Sequence, residues 1–206
     1  MASFLLPVAA VTLVLFVLSP VSSVAAPILD TDGDLVKNGG SYYIIPRLIG
    51  VGGLALTKGN SSSPCPLFIT QKLYSNGLPV LMSSPLKIGF LMTSMPIEFY
   101  FNREYATCNK ELRWWVAEED ENNNSYVVVG ADGKFKDTYA FKIEEAKTGK
   151  YVYNIKFCHT IESNFFRVSE MKCNDVSYVN ELLAVVPDSP YPVTFVKADP
   201  KLASYV

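Results

Sequence analysis

The chain carries a single histidine among 206 residues. Hydrolysis of the Ser-His-Asp kind needs a histidine to take the serine proton. Only His159 could serve, and it directly follows Cys158, where a disulfide would tether it. A loop or core histidine is the simpler reading. No Cys-x-x-Cys occurs, and with a lone histidine this leaves no ordinary zinc set. A Gly-rich phosphate loop is also missing. There is no basic run and the formal net charge is −2, so nucleic acid is not an expected partner. Helical periodicity is absent as well. The one candidate, "EEAKTGK" near Glu144, is broken by Gly149.

Acidic groups offer little more. "ILDTDGD" starts like a calcium loop, with Asp30, Asp32 and Asp34 alternating, but position 12 of that loop is Ser41. A calcium loop needs an acidic residue there, so no metal or other cofactor is expected. "AEEDENNN", residues 117–124, reads as a solvated loop rather than an acid–base pair. The only tryptophans are adjacent, Trp114 and Trp115. A Gln-x-Trp repeat of the lectin kind is therefore lacking. Neighbouring strand residues face opposite sides, so one tryptophan is expected in the core and the other at the surface.

Charge is absent from the first 26 residues, "MASFLLPVAAVTLVLFVLSPVSSVAA". They are apolar from Phe4 to Leu18 and end in small residues, which is the order of a secretory signal peptide. Cleavage is expected after Ala25, leaving one domain from residue 26 to 206. The apolar core is short for a span of about 20 residues and contains Pro7 and Pro20, which argues against an anchor. No second apolar span follows, so the mature protein is expected to be soluble. Its destination is expected to be extracellular or vacuolar. Secretion makes the four cysteines, Cys65, Cys108, Cys158 and Cys173, read as two disulfides. Three pairings are possible. Sequential pairing would close loops of about 44 and 16 residues, worth about 4 and 3 kcal/mol in the chain-entropy picture. Asn60 in "NSS" and Asn123 in "NNS" are candidate glycosylation sites.

What fills the chain is a series of short β-branched and aromatic runs between turns. They are "SYYIIPRL", "LALT", "LFITQKL", "LPVLM", "KIGFLM", "IEFYF", "RWWVAE", "SYVVVG", "YAFKIE", "YVYNIKF", "LLAVV" and "PVTFVK". Turn residues separate them, as in "VGG" at 51, "SNG" at 75, "ADGK" at 131 and "PDSP" at 187. An all-β sandwich or closed barrel follows. About twelve strands also fit a β-trefoil of three four-strand units, although no strong internal repeat is visible.

The segment "ILDTDGDLVKNGGSYYII", Ile28 to Ile45, closely resembles the N-terminal pattern of the plant Kunitz-type (soybean trypsin inhibitor-like) protease inhibitors. "TQKLYSNGLPVLMSSPLKIGFLM" is similar to the family's approach to its reactive loop, and "YVYNIKFC" to its third-cysteine strand. The resemblance covers essentially the whole mature chain. It implies a β-trefoil, no enzyme activity, and the pairing Cys65–Cys108 with Cys158–Cys173. The span "HTIESNFFRVSEMK" between the last two cysteines looks longer than in typical members. The family pattern around the offered bond reads here as Ser83, Ser84, Pro85, Leu86, Lys87 and Ile88. By resemblance, Lys87 is the specificity residue, Lys87–Ile88 the scissile bond and Asn38 the loop brace. The implied partner is a trypsin-like serine protease, bound by a monomer. Gly89 stands where members often carry a bulkier or charged residue, and a glycine loosens a loop. The alternatives are an inhibitor of another protease class (subtilisin-like, cysteine or carboxypeptidase) or a non-inhibitory storage, defence or binding protein.

Overall fold

A computed structural model of the protein describes residues 25–48, 50–59, 62–105, 108, 110–130, 139–162 and 169–198. The expected signal peptide (save Ala25) and Asn60, a candidate glycosylation site, lie outside the described residues. The described chain is built of strands: β1 Gly40–Pro46, β2 Leu54–Lys58, β3 Leu67–Gln71, β4 Val80–Ser83, β5 Glu98–Phe101 and β6 Trp115–Val116. They continue as β7 Ser125–Val129, β8 Tyr139–Glu145, β9 Tyr153–Glu162, β10 Ser169–Val179, β11 Leu182–Val186 and β12 Val193–Lys197. A 3-10 turn, Arg103–Tyr105, follows β5.

The pairings repeat three times along the chain. β2–β3, β6–β7 and β10–β11 are hairpins, and β7 joins them by pairing with β3 and β11. β4–β5, β8–β9 and β12–β1 join one four-strand unit to the next. Within units, β1 pairs β4 and β9 pairs β12, while the matching contact of the middle unit is the bridge Ile97–Phe141. All of these pairs are antiparallel. This is a β-trefoil, closed so that few strand edges remain open.

Alternation along each strand decides what lies inside. β1 turns Tyr42 and Ile44 inward, β4 Val80 and Met82, β5 Phe99 and Phe101, and β12 Val193 and Phe195. Trp114 sits at the centre, stacked on Phe99 at 4.5 Å between ring centroids. Phe141 meets both rings edge-on at 5.8 Å, a favoured aromatic arrangement. Trp115 is half-buried, so the two tryptophans do divide between core and surface.

The twelve strands are not the twelve expected from the sequence. "KIGFLM" forms no strand; Phe90 and Met92 make only isolated bridges, to Lys37 and Pro27. Its backbone is committed to a loop instead. β10 falls outside the expected runs, because "SEMKCNDVSYV" holds Asn and Asp, which strands disfavour. Tertiary pairing overrides that preference. β10 lies between β9 and β11, and buried Asp175 faces Lys156 across the ladder in an ion pair of 2.6 Å. The disulfides are Cys65–Cys108 and Cys158–Cys173. The second joins residues directly opposite each other on β9 and β10.

Candidate functional site

The β1–β4 register pairs Gly40 with Met82 and Ser41 with Leu81. Continued two residues past the strand, that register sets Asn38 opposite Ser84. The "NGG" turn makes the approach possible. Gly39 has φ 82° and donates its N–H to the Met82 carbonyl at 2.8 Å. A side chain at such a φ would be strained.

Asn38 then spans the segment from Ser84 to Gly89. The Ser84 N–H donates to Asn38 Oδ1 at 2.8 Å. Asn38 Nδ2 donates to the carbonyls of Ser84 at 3.3 Å, Leu86 at 3.0 Å and Ile88 at 2.9 Å. The Asn38 backbone N–H donates to the Gly89 carbonyl at 3.1 Å. One residue therefore holds carbonyls on both sides of the Lys87–Ile88 bond. Within the loop, the Leu86 N–H donates to Ser84 Oγ at 3.3 Å, and the Ile88 N–H donates to the Leu86 carbonyl at 2.9 Å. The second bond is a three-residue turn with Lys87 at its apex. Pro85 fixes its own φ near −65° and restricts Ser84 before it.

Exposure follows this frame. Pro85, Leu86, Lys87 and Gly89 are exposed, and Leu86 is 49% exposed. Ile88 is half-buried and packs against the core, which anchors the far side of the bond. Ser83, half-buried, ends β4 opposite Glu98 on β5. Beside it, Glu98 pairs with Arg113 at 2.5 Å and accepts the Tyr100 hydroxyl at 2.7 Å. Burial, then the Glu98 hydrogen bond and charge, push the Tyr100 phenol up to about 12. A cavity of about 120 Å³ opens further along β4, lined by Ser41, Leu81, Phe101 and Tyr105 among others.

The remaining sequence candidates are dispersed. Asp30 is wholly buried, and its Oδ1 accepts the N–H groups of Asp32 and Asp34 at 3.0 and 2.9 Å. That carboxylate serves its own turn. Asp120 does the same for Asn122 and Asn124, and these hydrogen bonds lower its pKa. Asn123 is exposed at the tip of that loop. His159 lies on β9, half-buried beside Phe157.

The profile of the legume Kunitz family, described as trypsin and protease inhibitor, matches residues 28–197. The chain belongs to that family. Kunitz members of this kind are protease inhibitors, not enzymes. Trypsin inhibitor BvTI of Bauhinia variegata is 33% identical over 182 residues, covering 84% of this chain and 96% of that protein. Among solved structures, the complex of porcine pancreatic trypsin with soybean trypsin inhibitor is similar, with 26% identity and a TM-score of 0.67. It covers 84% of this chain and 99% of the matched one. A water-soluble chlorophyll protein from Brassica oleracea, solved with chlorophyll b, shares the Kunitz fold with 27% identity and a TM-score of 0.64. It covers 84% of this chain and 99% of its own. The fold thus serves more than one purpose.

Sequence reasoning pointed to Asn38 and the loop through resemblance. It passed over the Glu98–Arg113 pair beside Ser83. No linear pattern marks that pair, because its two residues lie on different elements.

Proposed function

We propose that this protein inhibits a trypsin-like serine endopeptidase by offering the Lys87–Ile88 bond as a substrate would. The observation that carries the reading is Asn38, hydrogen-bonded to the carbonyls of Leu86 and Ile88 on either side of an exposed Lys87. A trypsin-like pocket holds a buried Asp, which a lysine side chain can reach and pair with. Such buried anchors dominate interfaces of this type. The loop arrives already shaped by Pro85, Ser84 and Asn38, so little ordering entropy remains to be lost on binding.

Cleavage would give a carboxylate at Lys87 and an amine at Ile88. Asn38 would still hold Ser84 and Leu86 on one side and Ile88 and Gly89 on the other. The new ends would stay together, and resealing would compete with release. The protein would act after secretion, outside the cell or in a vacuole.

The test is a panel of trypsin, chymotrypsin, subtilisin, papain and a carboxypeptidase against the wild type and Lys87→Ala. Sub-micromolar inhibition of trypsin, lost in Lys87→Ala, is expected. Full trypsin activity at excess protein would overturn the reading. Inhibition of another class that survives Lys87→Ala would place the active surface elsewhere.

A further inference from the structure

The start of the described chain lies edge to edge with the segment that follows the reactive loop. The Ala26 N–H donates to Thr93 Oγ1 at 2.9 Å, and the Thr93 N–H donates to the Ala26 carbonyl at 2.8 Å. Pro27 bridges to Met92. Just inside, three wholly buried residues close a ring of backbone hydrogen bonds. Ile28 N–H donates to Leu91 at 3.0 Å, Leu91 N–H to Val36 at 2.8 Å and Val36 N–H to Ile28 at 2.9 Å.

The segment beginning at Ile88 is thus tied at three levels. Gly89 is held by Asn38, Leu91 by the ring, and Thr93 by Ala26. The first two ties depend on residues inside the chain. The third depends on a residue that becomes a chain end only by processing. Thr93 is 5% exposed, so its hydroxyl is a buried polar group that needs a partner. A cut after Ala25 converts the Ala26 N–H into an ammonium, and its bond to Oγ1 becomes charge-assisted and stronger. A cut after Ala26 would remove both Thr93 contacts.

We infer that Thr93 is a positioning residue for the reactive loop, and that leader removal after Ala25 sets the Ala26 α-ammonium on the Thr93 hydroxyl. This clasp steadies the half of the loop that follows the offered bond. The inference rests on the inhibitory reading of that loop. A loose segment would let the Ile88 amine swing away from the Lys87 carboxylate after cleavage, so the cut form would gain.

The secreted chain, made with its own leader, is compared with Thr93→Val, Thr93→Ser and a chain engineered to begin at Ile28. Intact mass should show a mature chain starting at Ala26. Thr93→Val keeps the shape but removes the acceptor. In that variant the backbone amides of residues 91 and 93 should exchange about five- to tenfold faster, the effect of one lost buried hydrogen bond. The cut fraction of Lys87–Ile88 at equilibrium with trypsin should rise by a similar factor. The Ile28 chain should behave alike, while Thr93→Ser stays near the parent and amides of β9 and β10 are unchanged.

The inference is overturned if Thr93→Val matches the parent, if Thr93→Ser is as poor as Thr93→Val, or if the mature chain starts elsewhere. Should the parent inhibit no protease, the inhibitory reading fails by itself. Amide exchange then still decides whether the clasp positions the loop.

Discussion

Asn38 and Ser84 exchange two hydrogen bonds: the Ser84 N–H donates to Oδ1 at 2.8 Å, and Nδ2 donates to the Ser84 carbonyl at 3.3 Å. They sit 46 residues apart in sequence, yet the β1–β4 register brings them face to face. The same amide reaches Leu86 and Ile88. Asn38→Ala removes all of these bonds. At about 1 kcal/mol net for each of three pinned residues, the loss is about 3 kcal/mol, or about 100-fold in the inhibition constant. Cleaved protein should also accumulate. Inhibition titration and the mass of the recovered protein check both effects. Affinity unchanged in Asn38→Ala would mean that the loop is braced by something else.

Two glycines should respond in opposite directions. A Cβ at Gly89 meets nothing within 4 Å, and its φ lies outside the left-handed region. Gly89→Ala should therefore fold normally. It should tighten binding by about two- to fivefold, because it removes about 0.4–1 kcal/mol of loop entropy. Gly77 has φ 74° and its Cβ would lie 2.2 Å from the Leu54 carbonyl oxygen. Gly77→Ala should lower the melting temperature clearly. Calorimetry and inhibition constants of the pair separate loop entropy from backbone fit.

Trp114 is wholly buried, and its Nε1 has no hydrogen-bond partner among the described residues. Trp114→Ala should cost about 3–5 kcal/mol through the cavity it leaves. Trp114→Phe keeps a ring against Phe99 and removes the unsatisfied donor, so it should cost much less. Trp115→Ala, at a half-buried position, should cost least of the three. Denaturant melts of the three variants provide the check. Equal losses for Trp114→Ala and Trp115→Ala would contradict the central position of Trp114.

The Tyr100 phenol is raised from 10.0 to about 12, first by burial and then by Glu98. The folded state thus keeps this proton at pH values where the unfolded state has lost it. The unfolded state binds fewer protons there, so stability falls as pH rises. The contribution is whole below pH 10 and is lost between 10 and about 12. Tyr100→Phe should show a shallower loss of stability over that window. Tyr105, Tyr153 and Tyr191 are also raised by burial, so phenolate absorbance of the folded protein should show one late-titrating group fewer in the variant than in the wild type.

Much of the architecture was written in local pattern. Eleven of the expected runs coincide with strands, because alternating β-branched and aromatic residues fit a half-buried pleated surface. "KIGFLM" carries the same local preference, yet its backbone goes to Asn38 and to single bridges. Pro85 and the Asn38 amide hold it in a loop. β10 shows the reverse case. Asn174 and Asp175 disfavour a strand locally, but β9 and β11 pair with both edges, and Lys156 meets the buried Asp175.

The sequence by itself determined the strand-forming runs, the lack of a histidine-based catalytic set, and the loop composition around Lys87. Those are properties of neighbouring residues, and short-range sterics and chemistry suffice to express them. Only the tertiary structure decided which strands pair within and between the three four-strand units, which no internal repeat reveals, since equivalent pairings need only matching inward faces. It alone also set Ala26 against Thr93, and it supplied the geometry of the Asn38 brace that resemblance had implied. Long-range strand register makes that choice, and register is a property of the whole barrel rather than of any segment within it.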